Sequence, residues 1–405
     1  MKRLLIGICG GIAAYKICEV ISTLFKTEQV EIKVILTDSA QKFITPLTIT
    51  TLSRYPVYTD ENFWQPINYR PLHIELGEWA DVFLIAPLTA NTLAKLALGF
   101  ADNLLTNTVL ASNCPILLAP AMNTDMWLQL SVQNNWQLLT QNPRYHTIGP
   151  GSGLLACDRV GSGRMSEPAE IISYILSLFY TEGKKDLKGK KVLISGGGTR
   201  EFFDPVRYIG NPSSGKMGIA LVKAALHRGA EVKFVHGIID DHLLANIPEA
   251  RLIPITNSEE MYREMSGNFT DADIIIMSAA VADVKPREYY GEKIAKKDLP
   301  SALELSPVKD IIAELGKLKK GNQRLIGFAA QTGDIITPAR EKMSRKNLDI
   351  IVANPIDQVN SGFGNDRNQA IFLDNQNREI EIENCDKLEM GHKLFDFIMS
   401  YKLRL

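Results

Sequence analysis

The chain is poor in several features that would otherwise decide its class. Its 405 residues hold five cysteines, Cys9, Cys18, Cys114, Cys157 and Cys385, and no CxxC pair. Thiols scattered in this way form neither a disulfide framework nor a zinc site, and they suit a reducing cytoplasm. No apolar run approaches the ~18 residues that a membrane span needs. The opening Lys2, Arg3 and LLIGICGGIAA imitate a short signal peptide. Gly7, Gly10 and Gly11 interrupt that run, and a helical pattern continues through Lys16 and Glu19, so the segment reads as strand, glycine turn and helix. Neither sign of charge is in excess, with 45 Lys and Arg against 46 Asp and Glu, which gives no case for a protein that coats nucleic acid. A GxGxxG dinucleotide fingerprint is missing.

What is present is ordinary globular composition, 45% hydrophobic and 22% charged, which excludes disorder and fibrous repeats. At roughly 100–200 residues per domain, the length predicts two or three domains. The two halves differ in charge density: residues 1–180 hold 12 basic and 14 acidic side chains, and residues 181–405 the remaining 33 and 32. An enzyme handling several phosphates would show this enrichment, and so would a more solvated surface.

Short apolar runs alternate with helix-like stretches. In the first half the runs are Leu4–Cys9, Ile32–Thr37, Val82–Ala86 and Ile116–Ala119, separated by helical spacing over Ala13–Phe25 and Asn91–Leu98. Runs too short for helices and not alternating suit strands of a parallel sheet buried on both faces. The pattern is a doubly wound α/β layer, whose ligands bind at the carboxyl ends of the strands. Residues 181–191 (TEGKKDLKGKK) read as a linker. KVLISGGGTR then restarts the opening motif, with further strands at Glu231–His236, Ile274–Ser278, Leu325–Phe328, Ile350–Ala353 and Ala370–Leu373, and helices at Gly215–Arg228 and Asp386–Tyr401. The expectation is two Rossmann-like α/β domains in tandem, residues 1–182 and 187–405.

Several residues could carry chemistry. Gly10 and Gly11 leave backbone N–H groups free to hold a phosphate at a helix N-terminus, although a mere tight turn explains them equally. GNPSSGKMG is a near miss for a P-loop. Met217 stands where a Mg²⁺-binding hydroxyl is required, so the segment is at most an anion cradle. His73 lies shortly before a strand, and a lone histidine is more often structural than catalytic. Asn123, in PAMNTDMW, follows a strand end, where it is either a ligand-binding group or a cap. Cys157, in GSGLLACDRVGSGRM, is flanked by glycines that suggest a mobile flap, while Cys9 and Cys18 read as packing. Lys293, Lys296 and Lys297 with Lys342 and Lys346 form two basic clusters, suited to solvent or to a triphosphate.

Taken together, the segments go further. GGIAAYK, HIELGEWAD (from His73), PAMNTDMW and ACDRVGSGRM resemble the homo-oligomeric flavin-containing cysteine decarboxylases, with a flavodoxin-like fold. GGGTREFFDPVRYIGNPSSGKMG, AAVADVKP, EKIAKKD, GFAAQT and RKNLDIIVAN resemble phosphopantothenate–cysteine ligase. Both in this order resemble the bacterial bifunctional coenzyme A biosynthesis family over nearly the whole chain. The departures, ACDRVG for ACG followed by Asp and REFFDPVR where Pro often follows Glu, touch no residue with a reactive role.

The resemblance implies two reactions. The C-terminal domain activates 4′-phosphopantothenate with CTP as an acyl-cytidylate, and the amine of L-cysteine displaces CMP. Lys293 assists formation of the acyl-cytidylate and Asn211 its breakdown, with Arg207 in the same loop. Asp283, Phe328, Lys342 and Lys346 hold CTP, Met277, Ser278 and Ala279 line its base pocket, and Lys309, Asp310, Ile311 and Ile312 lie on the nucleotide, with Mg²⁺ accompanying it. The N-terminal domain decarboxylates the product with FMN, which oxidises the thiol so that the electrons left by CO₂ are accepted by conjugation. His73 is the acid–base residue, Asn123 binds the substrate carboxylate, and Cys157 donates the final proton. Gly10, Gly11, Thr37, Thr89 and Met122 line the FMN site. The family also implies a cytoplasmic homo-oligomer, a dodecamer built from trimers of the first domain and dimers of the second, with no nucleic-acid or membrane partner. The competing classes are an FMN-binding regulatory relative without catalysis, which retention of His73, Asn123 and Cys157 argues against, and a two-domain NAD-dependent dehydrogenase.

Overall fold

The computed structural model describes all residues except 28–29, 66–69, 156–157, 356–363 and 402–405. It divides into two compact units, Met1–Lys184 and Lys185–Leu405. Among the described residues, the first unit has strands β1 (Arg3–Ile8), β2 (Glu31–Leu36), β3 (Val57–Tyr58), β4 (Val82–Leu88), β5 (Ile116–Pro120), β6 (Tyr145–Thr147), β7 (Gly151–Leu154) and β8 (Val160–Arg164). The first six form a parallel sheet of order β3-β2-β1-β4-β5-β6, and β7 and β8 form a separate antiparallel hairpin. The runs expected to be buried on both faces are so. Leu4, Ile6 and Ile8 of β1 pack with Ile17, Val20, Ile21 and Leu24 on one side, while Leu5 packs with Phe83, Leu93, Leu105 and Val109 on the other. Those four helical residues recur at the i, i+3, i+4, i+7 spacing of an amphipathic helix, here Ile17–Thr27. The helix expected from Ala13 begins instead with a 3₁₀ turn, Ile12–Lys16.

In the second unit the strands are β9 (Lys191–Gly196), β10 (Glu201–Phe202), β11 (Tyr208–Ile209), β12 (Glu231–His236), β13 (Arg251–Pro254), β14 (Ile274–Met277), β15 (Val284–Pro286), β16 (Leu305–Pro307), β17 (Arg324–Gln331), β18 (Ile350–Pro355), β19 (Arg367–Asp374) and β20 (Glu379–Asp386). The main sheet runs β13-β12-β9-β14-β17-β18-β19-β20. Its first six strands are parallel and the last two antiparallel. Strand β20 was not anticipated. Its sequence, EIEIENCD, alternates with charged residues on the exposed side, as a solvated edge requires, and it contains no continuous apolar run.

Both units therefore wind alike: the chain runs outward from a first strand, then returns to add strands on that strand's other side. The order reverses between β1 and β4 and again between β9 and β14. Crevices at such points, outside the carboxyl ends of the strands, are where doubly wound sheets bind ligands.

The segment expected to be a linker is one only in part. Thr181 ends the helix Pro168–Thr181. Asp186 is ion-paired with Arg228, Leu187 is fully buried, and the Leu187 N–H donates to the Arg228 carbonyl at 3.1 Å. One leucine among ten polar and glycine neighbours was enough to dock the strand's approach.

Candidate active sites

In the first unit, a cavity of about 1110 Å³ opens at the β1/β4 reversal, and its lining includes Gly10, Gly11, Thr37, Thr89, Met122 and Asn123. The sequence predicted these six to act together, and the fold brings them together from the loops after β1, β2, β4 and β5. Two helix N-termini face the space. Gly11 precedes the 3₁₀ turn with no side-chain cap, and Thr89 caps Ala90–Leu98 by accepting from the Thr92 N–H. The partial positive charge and N–H groups of such ends suit an anionic phosphate. Gly10 is fixed by space: a Cβ there would lie 2.4 Å from that of Ser39. Thr37 fastens the neighbouring loop, accepting from the Ala40 N–H and donating to the Ile8 carbonyl, both at 3.3 Å. Ala90, Ala121 and Met122 supply apolar lining. A cavity of this size, polar at one end and apolar along its wall, fits a flavin with a phosphorylated side chain.

Asn123 accepts from the Asp125 N–H at 2.8 Å as cap of the short helix Thr124–Trp127. It is thus both cap and cavity wall. The glycines around Cys157 have a different role from the one expected. The Met122 N–H donates to the Gly163 carbonyl at 3.0 Å. A Cβ on Gly163 (φ 136°) would lie 2.2 Å from the Met122 oxygen, and one on Gly161 would lie 2.5 Å from Thr124 Oγ1. These glycines let the β7–β8 hairpin lie flat against the Met122–Thr124 segment. Cys157 itself lies outside the described residues, while Leu154 and Leu155, which precede it, line the cavity.

His73 is not among the lining residues. It stands in the first turn of Leu72–Trp79, edge-on to Phe63 at 5.5 Å, with Nδ1 buried and without a hydrogen-bond partner among the described residues. Sequence reasoning missed Lys16, which lines the cavity and pairs with Glu167 at 2.8 Å, and Arg164, which pairs with the same carboxylate at 2.6 Å. It also missed Asp60, whose carboxyl burial raises above its ordinary value although the Leu104 N–H hydrogen-bonds it. Cys9 and Cys18 are packing residues as expected, and burial pushes both thiols up.

In the second unit the predicted residues form two groups. In the first, Asn211 donates from Nδ2 to the Val281 carbonyl at 3.0 Å. Arg207 reaches the Ile294 carbonyl at 3.3 Å, next to exposed Lys293. Beside them, Met277, Ser278 and Ala279 are fastened to one buried residue that sequence reasoning missed, Ser195. Its hydroxyl lies 3.4 Å from Met277 Sδ and accepts from the Ala279 N–H at 3.3 Å, and its carbonyl accepts from Ser278 Oγ at 2.5 Å. A lone hydroxyl inside the buried run of β9 was the available signal.

In the second group, Lys342 Nζ donates to the Phe328 carbonyl at 3.0 Å, and Lys346 pairs with Asp310 at 2.7 Å. Burial, then the charge of Lys346, holds the Lys342 ammonium below its ordinary value, with Asp310 and Asp283 opposing. An arriving polyanion would relieve that repulsion. Asp310 caps the helix Ile311–Leu318, which carries Ile311 and Ile312. Its burial raises the carboxyl, but the hydrogen bond and charge of Lys346 outweigh this and leave it below its ordinary value. Lys309 lies 4.1 Å over the Tyr262 ring, its charge directed there by cation–π attraction. Lys216 of the near-miss P-loop is committed to Asp366 at 2.6 Å, in keeping with the rejection of Walker chemistry.

Known proteins resemble the chain in both units. Residues 1–180 match the Flavoprotein family and residues 187–401 the DNA/pantothenate metabolism flavoprotein C-terminal domain. The coenzyme A biosynthesis bifunctional protein CoaBC of Bacillus subtilis (strain 168) is 41% identical over 401 residues, covering 98% of this chain and 97% of that protein. The chain belongs to this family. It is an enzyme of coenzyme A biosynthesis with ligase and decarboxylase activities, and its first unit is a flavoprotein. The family's protein from Haemophilus influenzae (strain ATCC 51907 / DSM 11121 / KW20 / Rd) is 40% identical, covering 98% of this chain and 97% of its own. A cysteine/cysteine sulfinic acid decarboxylase from an unknown prokaryotic organism is 43% identical over 86% of this chain and 95% of its own. Among the described residues no helix is long and apolar enough to cross a membrane.

Proposed function

We propose that the second unit joins L-cysteine to 4′-phosphopantothenate with CTP, and that the first decarboxylates the product to 4′-phosphopantetheine. This reading is supported by a chain alike from end to end to bifunctional relatives and by a cavity at the first unit's sheet reversal lined by six of the predicted residues.

In ligation, the carboxylate of 4′-phosphopantothenate attacks the α-phosphate of CTP and pyrophosphate leaves. Lys293 offers a mobile cation to the charge that develops there. Lys342 and Lys346 neutralise the triphosphate, which Mg²⁺ accompanies, with Asp283, Asp310 and Phe328 setting their positions. Lys309, Ile311 and Ile312 border the nucleotide, and Met277, Ser278 and Ala279, held on Ser195, border the base. Asn211 and Arg207 then orient the acyl-cytidylate for attack by the cysteine amine, and CMP leaves.

In decarboxylation, Gly10, Gly11, Thr37, Thr89 and Met122 would hold FMN, the phosphate at the two helix N-termini. Bound FMN supplies oxidation of the substrate thiol and the later return of the electrons. Asn123 holds the substrate carboxylate, His73 moves the proton in the oxidation, and Cys157 returns one at the end. The reading includes domains at 1–182 and 187–405 and a cytoplasmic homo-oligomer, trimeric through the first unit, dimeric through the second and dodecameric overall. Ile12, Tyr15, Met126 and Leu154 on the cavity rim are each 47–62% exposed, which supports a partner covering that face.

The test is to supply 4′-phosphopantothenate, L-cysteine and CTP or ATP and follow products by mass spectrometry, with flavin absorbance read on the same sample. Conversion through phosphopantothenoylcysteine to 4′-phosphopantetheine is expected with CTP. A yellow protein that leaves phosphopantothenoylcysteine intact and consumes free cysteine would refute the decarboxylase substrate.

A further inference from the structure

Lys293 sits in an excursion between β15 and β16 that has little to hold it. From Arg287 to Ala302 every residue is exposed except Ile294, which is half-buried. A cation that must act at one phosphate needs a fixed origin, and the side chains of this loop do not bury themselves to provide one.

The origin comes from the turn after β10. Asp204 is fully buried. Its Oδ1 accepts from the N–H groups of Val206 and Arg207 at 2.8 and 2.7 Å, and its Oδ2 takes Arg207 Nη1 at 2.7 Å. The Ile294 carbonyl accepts from both terminal nitrogens of Arg207 at 3.3 Å. Ile294 is thus held through its carbonyl by the Asp–Arg pair. A further bond runs from the Tyr290 N–H to the Phe203 carbonyl at 2.8 Å. The turn 203–207 grips the loop at Tyr290 and Ile294, on either side of Lys293.

We propose that Asp204 is a positioning residue for carboxylate activation, clamping Ile294 through Arg207 so that Lys293 emerges in place. The inference rests on the proposed role of Lys293. A carboxylate is required: an amide in its place would keep one acceptor, lose the charge that fixes the Arg207 fork, and leave a half-buried guanidinium less well paired.

The experiment measures pyrophosphate release from CTP and 4′-phosphopantothenate without cysteine, in the full-length protein and in Asp204→Asn, Lys293→Gln and the double variant. Displacement of an acting group by about an ångström costs ~10²-fold in rate. Asp204→Asn should therefore lower kcat by that order while KM for CTP stays within about threefold, and it should cost nothing further in the Lys293→Gln background, since it acts through the lysine. Wild-type kcat in Asp204→Asn, a loss confined to KM, or full additivity overturns the clamp. Undiminished release in Lys293→Gln would instead remove the underlying role of Lys293. Independently of whether the variant folds, hydrogen exchange on the wild-type protein should show the Tyr290 amide, held by the Phe203 carbonyl, protected while Gly291, Glu292 and Lys293 exchange freely. Exchange of Tyr290 as fast as these neighbours also overturns the proposal.

Discussion

Because the side-chain oxygen of Asn123 caps the helix that follows it, the orientation of its amide is set before any ligand enters the cavity. That double duty allows a clean test. Aspartate caps as well as asparagine, so Asn123→Asp should keep its melting temperature and its flavin. Its charge would oppose a substrate carboxylate, and CO₂ release should fall ~10²–10³-fold, the usual range for a polar group at a reacting centre. Unchanged CO₂ release with flavin bound would leave Asn123 as a cap only. A parallel test separates the two halves of ligation. With CTP and 4′-phosphopantothenate, Asn211→Asp should accumulate acyl-cytidylate, visible by mass spectrometry, and Lys293→Gln should form none. The opposite pattern would reverse their roles. The residues legible in the sequence were those in distinctive strings at strand ends. Ser195 left only a lone hydroxyl in a buried run, and Asp204 and Lys16 left nothing. Lys16 works by pairing with Glu167 and Asp204 by holding Arg207, which reaches Ile294, and local pattern carries no trace of partners so far along the chain.

The central strands were legible because burial on both faces forces continuous apolar runs. Edge strands were not: β3 and β11 are two residues long, and β20 alternates with charge. The helix Lys387–Ser400 was placed to within a residue, since Asp386 caps it at the Leu388 N–H. Its interior holds a titration that pattern could not reveal. Burial first, and then the charge of Arg228, lowers His392 to about 4 from its ordinary 6.5. The folded protein keeps this histidine neutral, while the unfolded chain binds a proton below about pH 6.5. Stability from this group is therefore complete above that pH and is lost as pH falls toward 4. A shift of this size corresponds to about 3 kcal/mol. Urea melts followed on the second unit should show this decline between pH 7 and 4.5, and His392→Gln should flatten much of it. An equal slope in the variant would assign the pH dependence to other groups.

The two units repeat one winding, although their sequences share little beyond a strand that runs into glycines. Length and the restarted strand–glycine motif pointed to two units, but the boundary rests on contacts. A polar, lysine-rich stretch reads as linker until one asks where each residue goes. Asp186 neutralises Arg228, which is 3% exposed, and Leu187 is fully buried. The second unit therefore begins, in energetic terms, at Lys185 rather than after the charged run. Residues 185–405 expressed alone should fold, carry no flavin and retain CTP-dependent ligation. Residues 188–405 lose both the ion pair and the leucine. Arg228 keeps Asp396 at 2.7 Å and the His392 carbonyl at 3.0 Å, so the loss of Asp186 alone should cost only ~1–2 kcal/mol. Deleting a buried leucine side chain adds ~2–5 kcal/mol. The shorter fragment should accordingly unfold at clearly lower urea than the longer one, with ligation lost in step with folding. Equal stability would return residues 185–187 to the linker, and a folded longer fragment unable to make phosphopantothenoylcysteine would place part of the ligase site in the first unit.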